Sequence, residues 1–341
     1  MKALRIHAKD DLRTDEVPKP EPSGVEQVRL RMAYAGICGS DLHYYYHGAN
    51  GEFVVKEPLC PGHEVSGTVD LDPSGEFAPG TPVTVHPATF GTPEPGIEDR
   101  RHLWPGGAYL GSASTWPHTQ GGMSEYLVLN RDMLRRLPQG LSLRDAALAE
   151  PLAVGLHAIK LAGGVKGKRV LVSGSAPIGL LVVAAAVSLG AAEVTATDVL
   201  DGPLERARLL GASHTVRVPD EQIPVMGFDV VFECSGVTSA VTPALAAVRR
   251  AGTVVQVGMM PNEARPINLA PFVSKEVTYV GTFRFDDEID QAVEMLAADP
   301  RIAKVVTHVL PATDAEAAFA VAKDSQASGK VLVSLWLDDE K

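Results

Sequence analysis

RVLVSGSAPIGLLVVAAAVSLGAAEVTATD, Arg169 to Asp198, is the stretch that decides the fold. RVLVSG is a short apolar, β-branched run and reads as a buried strand. IGLLVVAAAVSLGA reads as a helix with a glycine stop, and VTATD as a second strand. Between the first strand and the helix lies Gly174-Ser175-Ala176-Pro177-Ile178-Gly179. A dinucleotide-binding turn has Gly-x-Gly-x-x-Gly in that place: the first glycine makes the turn, the second admits the pyrophosphate, and the third lets helix and strand approach. Ala176 replaces the second glycine, and its methyl pushes phosphate outward without touching the helix dipole. Asp198 ends the second strand, 19 residues past Gly179. A carboxylate there accepts hydrogen bonds from the adenosine ribose hydroxyls and repels an added 2′-phosphate, which favours NAD over NADP.

Outward from this unit the same alternation continues. LERARLLGA reads as a helix, FDVVFECSG as a third strand, and TVVQVG and VTYVG extend the series. Strands alternating with helices imply βαβ units and a parallel, doubly wound sheet. Before residue 130 the chain changes character. VEQVRLRMAYAGI, HEVSGTVDL, TPVTVHP and MSEYLVL are β-rich runs bounded by Gly and Pro, with little helical periodicity, and suggest an irregular β-barrel. Ser142 followed by LRDAALAEPLAVGLHAIKLA reads as a cap and one helix. Gly91 to Ser112 is a long Pro/Gly-rich loop, and the tail after Gly281 returns to helix, loop and a last strand, KVLVSLWL.

The 341 residues, 45% hydrophobic, suffice for two domains. A net charge of −11 argues against nucleic acid or an anionic membrane as partner. Cys38, Cys60 and Cys234 give no disulfide framework. MKALRIHAKDDLRTDE has no apolar signal core, and the apolar run Ile178 to Ala192 is too short to span a bilayer, so a cytoplasmic protein is expected.

Two cysteines fall inside GICGSDLHYYYHGANGEFVVKEPLCPGHE, Gly36 to Glu64. Cys38 and His63, with Glu64 adjacent, are the residue types that hold catalytic Zn²⁺, which needs three protein ligands and an open position. Asp41 is placed to hold the free ring nitrogen of His63, and Glu150 in AEPLAV to serve as fourth ligand or water holder. Spacing alone leaves the alternative open that Cys38 is a small core residue and His63 a satisfied core histidine. Cys60 reads as core, because Pro61 and Gly62 turn His63 away from it.

Taken in order, Gly36-Ile-Cys-Gly-Ser-Asp41, Gly62-His-Glu64, Glu150-Pro-Leu, the Gly174 turn and Asp198 resemble the zinc-dependent medium-chain dehydrogenases across essentially the whole chain. GICGSDLHYY and EPLAVGLHA are similar to the polyol branch. GSASTWPHTQGG (111–122) and GTFRFDDEIDQAV (281–293) lean toward its members that oxidise L-idonate to 5-keto-D-gluconate, with sorbitol or xylitol as the alternative substrate. The resemblance implies a GroES-like catalytic domain over 1–145, completed by 285–341, and a Rossmann NAD-binding domain over 146–284. It implies one catalytic zinc on Cys38, His63 and Glu64. Ser40 would contact the reacting hydroxyl and pass its proton towards His43. Tyr44, Glu150 and Arg284 would line the substrate pocket, with Arg284 suited to a substrate carboxylate. Gly174, Ala176, Ile178, Gly179, Asp198, Val257, Gly258, Met259, Phe283, Arg284 and Phe285 would hold NAD. A homodimer or homotetramer is implied as well.

The departures from the family are informative. Where relatives carry four cysteines for a structural zinc, this loop has Gly91, Glu94, Ile97 and Pro105, so no second zinc is expected. Pro203 replaces the usual arginine five residues past the ribose acid, and Phe285 replaces a tyrosine common in sorbitol dehydrogenases, which favours a sugar acid. A nucleotide-binding protein without catalysis remains the alternative of a different class.

Overall fold

The computed structural model describes residues 1–336. Leu337, the last residue of KVLVSLWL, and the end of the 285–341 segment lie outside the described residues. Among the described residues two large sheets carry the fold.

The first is all parallel. Its spatial order is His214–Arg217, Glu193–Asp198, Arg169–Ser173, Phe228–Glu233, Val248–Gln256 and Thr278–Gly281. The order reverses beside Arg169–Ser173, where neighbouring crossovers leave to opposite faces and a crevice opens at the strand ends. Ser173 pairs with Thr197 on one side and Glu233 on the other, so Gly174 and Asp198 emerge at the same rim. The inner strands are apolar on both faces, as a sheet covered by helices on both sides requires.

The second sheet runs Leu134–Arg136, Pro82–Val85, Glu64–Leu71, Gln27–Gly36, Lys330–Ser334 and Val306–Pro311, with Tyr126–Asn130 also pairing along Gln27–Gly36. Lys330–Ser334 therefore lies inside a sheet whose other strands come mostly from the first 136 residues. Leu30, Met32, Val65, Val83, Val85, Val331 and Val333 meet in one apolar core beneath it.

Three elements differ from expectation. The helix anticipated after Ser142 is two helices, Leu143–Ala146 and Ala149–Leu161. Ser142 does cap the first, its Oγ accepting the Asp145 N–H at 3.1 Å. Pro151 has no N–H to continue the ladder back through Ala147, and it fits only the first turn of a new helix. Gly39–His47 is helical although its sequence lacks apolar periodicity. An edge strand, His214–Arg217, precedes FDVVFE, which makes the latter the fourth strand in chain order.

The turn at Gly174 shows why glycine is needed there. Gly174 has φ +90°, and a Cβ on it would stand 2.7 Å from the Ser235 nitrogen. A Cβ on Gly179 would stand 1.9 Å from the Gly174 carbonyl oxygen. Gly179→Ala must therefore push the Pro177–Ser188 helix off the sheet. The expected loss is about 1–3 kcal/mol in chemical denaturation, together with weaker NADH binding by fluorescence titration. Unchanged values for both would mean the turn is looser than these contacts require.

Candidate active site

Cys38 sits at the N-terminal cap of Gly39–His47, and Glu64 opens the strand Glu64–Leu71. One carboxylate ties these segments together. Asp41, fully buried, accepts the Cys38 N–H at 2.9 Å and the Gly62 N–H at 3.3 Å. It thereby holds the backbones that carry Cys38 and His63, and its charge acts on the His63 ring. The thiol of Cys38, a ring nitrogen of His63 and a carboxylate oxygen of Glu64 lie within 4.8 Å of one another. Glu64 fits because Gly36 is its strand partner; a Cβ there would stand 1.9 Å from its carboxylate oxygen.

Thiolate, imidazole and carboxylate are the donor set of a catalytic zinc, and their mutual separation suits one ion. The same three residues have a strong electrostatic environment of their own. Lys330 is buried and donates to both Glu64 oxygens, at 2.6 and 2.7 Å, and to the Ile37 carbonyl at 3.0 Å. Burial disfavours a charged His63, but Cys38, Glu150 and Asp41 outweigh it and hold His63 well above the ordinary histidine range.

Glu150 stands outside that three-residue group. It lies in the first turn of Ala149–Leu161, buried, and accepts the Tyr109 hydroxyl at 2.5 Å. Burial pushes its carboxyl up, against the opposing pull of His63. Tyr109 is central to the site. Its ring packs edge-on against His63 at 5.4 Å, and the Arg284 guanidinium lies 4.0 Å over its face. Neither Tyr109 nor Lys330 was foreseen. Tyr109 lies in the two-residue strand Ala108–Tyr109 within the long Pro/Gly-rich segment, and Lys330 is 266 residues from its partner.

The remaining expected residues fall in several places. Ser40 and His43 are three residues apart on the Gly39–His47 helix, Ser40 half-buried and His43 exposed. Desolvation and His47 hold His43 below the ordinary histidine range. Tyr44 is buried, and its hydroxyl accepts the Ala113 N–H at 3.0 Å, close enough to Arg284 to act on its charge. Tyr45 packs on Phe319, while Tyr46 lies under the Lys323 ammonium. Cys60 is in the core, where burial pushes its thiol up to about 12. His118 is a packing residue, with one ring nitrogen on the Lys56 N–H and the other on the Thr115 carbonyl.

At the nucleotide rim, Asp198 accepts N–H groups from Ser175 at 2.8 Å and Leu200 at 3.1 Å, each oxygen keeping lone-pair capacity for ribose hydroxyls. Ala176 caps Pro177–Ser188, with Ile178 half-buried and Gly179 buried behind it. Gly258 abuts Gly236; Met259 and Phe283 are exposed, and Val257 is half-buried. Phe285 departs from expectation: its ring is in the core against His86, at 4.8 Å, which leaves only its backbone to face a cofactor.

Comparison with known proteins places this arrangement. Residues 24–139 match the alcohol dehydrogenase GroES-like domain and residues 177–298 the zinc-binding dehydrogenase family. Sorbitol dehydrogenase of Gallus gallus is 36% identical over 338 residues, covering 94% of this chain and 93% of that one. The chain belongs to the zinc-binding medium-chain dehydrogenases. It is a zinc-containing alcohol or polyol dehydrogenase built from a GroES-like part and a Rossmann sheet. L-idonate 5-dehydrogenase (NAD(P)(+)) of Escherichia coli strain K12 is 36% identical over 311 residues, 89% of this chain and 90% of that one. The crystal structure of an Escherichia coli L-idonate 5-dehydrogenase superposes with a TM-score of 0.92 at 32% identity, covering 98% and 97% of the two chains.

In this dehydrogenase the Lys330–Glu64 pair makes a separable prediction. Lys330→Met strands a buried carboxylate and costs about 3–5 kcal/mol in chelator-treated protein, measured by denaturant unfolding. Lys330→Met with Glu64→Gln removes the uncompensated charge and recovers most of that loss. Equal stability of the single and double variants would show that the pair is not what holds the strand.

Proposed function

We propose that the dehydrogenase oxidises a secondary alcohol of a sugar acid, L-idonate to 5-keto-D-gluconate, using NAD and one Zn²⁺ held by Cys38, His63 and Glu64. The observation that carries the substrate reading is Arg284. Its guanidinium lies half-buried over the Tyr109 ring beside Glu150, and among the described residues it has no carboxylate in salt-bridge reach. A planar fork of donors in that position suits a carboxylate on the substrate.

Bound in the site, the metal would supply Lewis acidity for the reacting hydroxyl and the nicotinamide an acceptor for the hydride. The chain's own residues do the rest. Ser40, in the first turn of its helix, accepts the hydroxyl proton as it gives up its own toward His43, one turn on, which releases a proton to solvent. The lowered basicity of His43 keeps it unprotonated and ready to accept at neutral pH. Glu150, fixed by Tyr109, orients a second substrate hydroxyl or a water. Arg284 and Tyr44 orient the acid end. Asp198 selects the unphosphorylated ribose, with Pro203 offering no cation for a 2′-phosphate.

A polyol is the second reading, supported by the sorbitol dehydrogenase relatives. NADH formation with L-idonate, sorbitol and xylitol, on protein whose zinc is counted, separates the two. L-idonate is expected to be preferred with about one zinc per chain. Arg284→Gln should lower its kcat/KM by about 10–100-fold, the worth of a charged hydrogen bond, while leaving sorbitol nearly unaffected. A polyol preference, or equal loss on both substrates, would move the substrate class. His43→Ala should slow turnover at neutral pH. In the unsubstituted enzyme the acid limb of kcat should fall below the ordinary histidine value, because the proton acceptor fails only once it is protonated.

A further inference from the structure

Arg284 has φ +51°, a left-handed conformation that a long, non-glycine side chain adopts only when its surroundings impose it. The imposing contacts lie in the next four residues. Phe285 is buried with its ring on His86. The Asp286 carbonyl accepts from His86 Nε2 at 2.7 Å; the Ala88 N–H occupies Nδ1, so Nε2 carries the hydrogen. The Asp286 N–H donates to Glu288 at 2.9 Å, and Glu288 is itself bound by His157 and Lys160. The Asp286 carboxylate, buried, accepts twice from one residue of the long Pro/Gly loop: Arg101 Nε at 2.7 Å and the Arg101 N–H at 3.1 Å. Arg101 is braced in turn over the Phe90 ring at 4.4 Å.

The loop that carries Arg101 has no metal-binding cysteines; it is closed by Thr92 N–H to Pro105 O and Trp104 Nε1 to Ile97 O. It meets the Arg284 segment at two places: Tyr109 lies directly under the guanidinium, and Arg101 grips Asp286 on the backbone side. We propose that Arg101 and Asp286 are a positioning pair that fixes Arg284 in its left-handed conformation, so that the 91–112 loop sets discrimination for a carboxylate-bearing substrate. The inference rests on the reading that Arg284 meets the substrate carboxylate. Arg101 touches neither substrate nor cofactor; it acts through Asp286 on the backbone two residues from Arg284. Released from that pair, Arg284 relaxes toward negative φ and its guanidinium swings off the Tyr109 ring. A shift of about 1 Å at a positioning group is enough to lower the rate for the ligand it orients.

The test is steady-state NADH formation with L-idonate and with sorbitol for Arg101→Ala, Asp286→Asn, Arg284→Gln and the Arg101→Ala/Arg284→Gln pair. Arg101 is surface-accessible, which keeps its variant folded where the buried Asp286 variant could fail. Arg101→Ala should raise the L-idonate KM roughly tenfold, with kcat and the sorbitol KM within about twofold. Arg101→Lys, which retains one charged donor, should recover most of that effect. In the Arg284→Gln background, Arg101→Ala should add nothing further, whereas a general loss of stability would persist there. An L-idonate KM raised by Arg284→Gln but untouched by Arg101→Ala would overturn the positioning role and leave the substrate reading standing. If Arg284→Gln leaves L-idonate kinetics unaltered, or L-idonate is not oxidised, the substrate reading fails and this inference with it.

Discussion

A lysine ammonium and a glutamate carboxylate, both withdrawn from water, meet at 2.6 and 2.7 Å between Lys330 and Glu64. Removing either charge from solvent alone is costly, so neither residue can be buried without the other. The pair therefore forms only when the strand Lys330–Ser334 is seated beside Gln27–Gly36, and Gly36 has no side chain to obstruct it. That seating completes the second sheet and its core, and it presents Glu64 next to Cys38 and His63. The metal-binding geometry and the closure of the sheet are consequences of the same contact.

The second constraint is how few groups connect the site to the rest of the enzyme. Tyr109 touches His63, Glu150 and Arg284 at once, so one ring couples the candidate metal ligands, the acid on Ala149–Leu161 and the cation beyond Thr278–Gly281. Asp41 joins the Cys38 and Gly62 backbones in the same economical way. Each is a buried polar group whose partners lie far apart in sequence, and each would be costly to leave unpaired.

That separation in sequence explains what could be read beforehand. The strand, turn, helix and acid from Arg169 to Asp198 are local: periodicity, a positive-φ glycine and a strand-end carboxylate are all visible in thirty consecutive residues. Cys38, His63 and Glu64 were recognisable by residue type and order. What escaped notice depends on tertiary context. The helix Gly39–His47 is held by its cap and by packing, with little apolar pattern of its own. The break after Ala146 follows from one missing N–H at Pro151, and the edge strand His214–Arg217 is too short and polar to stand out. Tyr109, Lys330 and the inward turn of Phe285 are set by neighbours tens to hundreds of residues away, and so is the bond from the Gly62 N–H to Asp41.

Strand order has a consequence for the direction in which the chain is made. Residues 169–281 supply every strand of the parallel sheet, so its strands can pair as soon as they leave the ribosome. Those of the other sheet cannot, because one of its inner strands is Lys330–Ser334. Until Lys330–Ser334 is synthesised, Tyr34–Gly36 has an unpaired edge and Glu64 lacks its counter-ion. A translation product ending before Lys330 would carry a paired parallel sheet attached to an open, aggregation-prone one. The candidate site is thus completed by a strand that begins 266 residues after Glu64, the residue it joins.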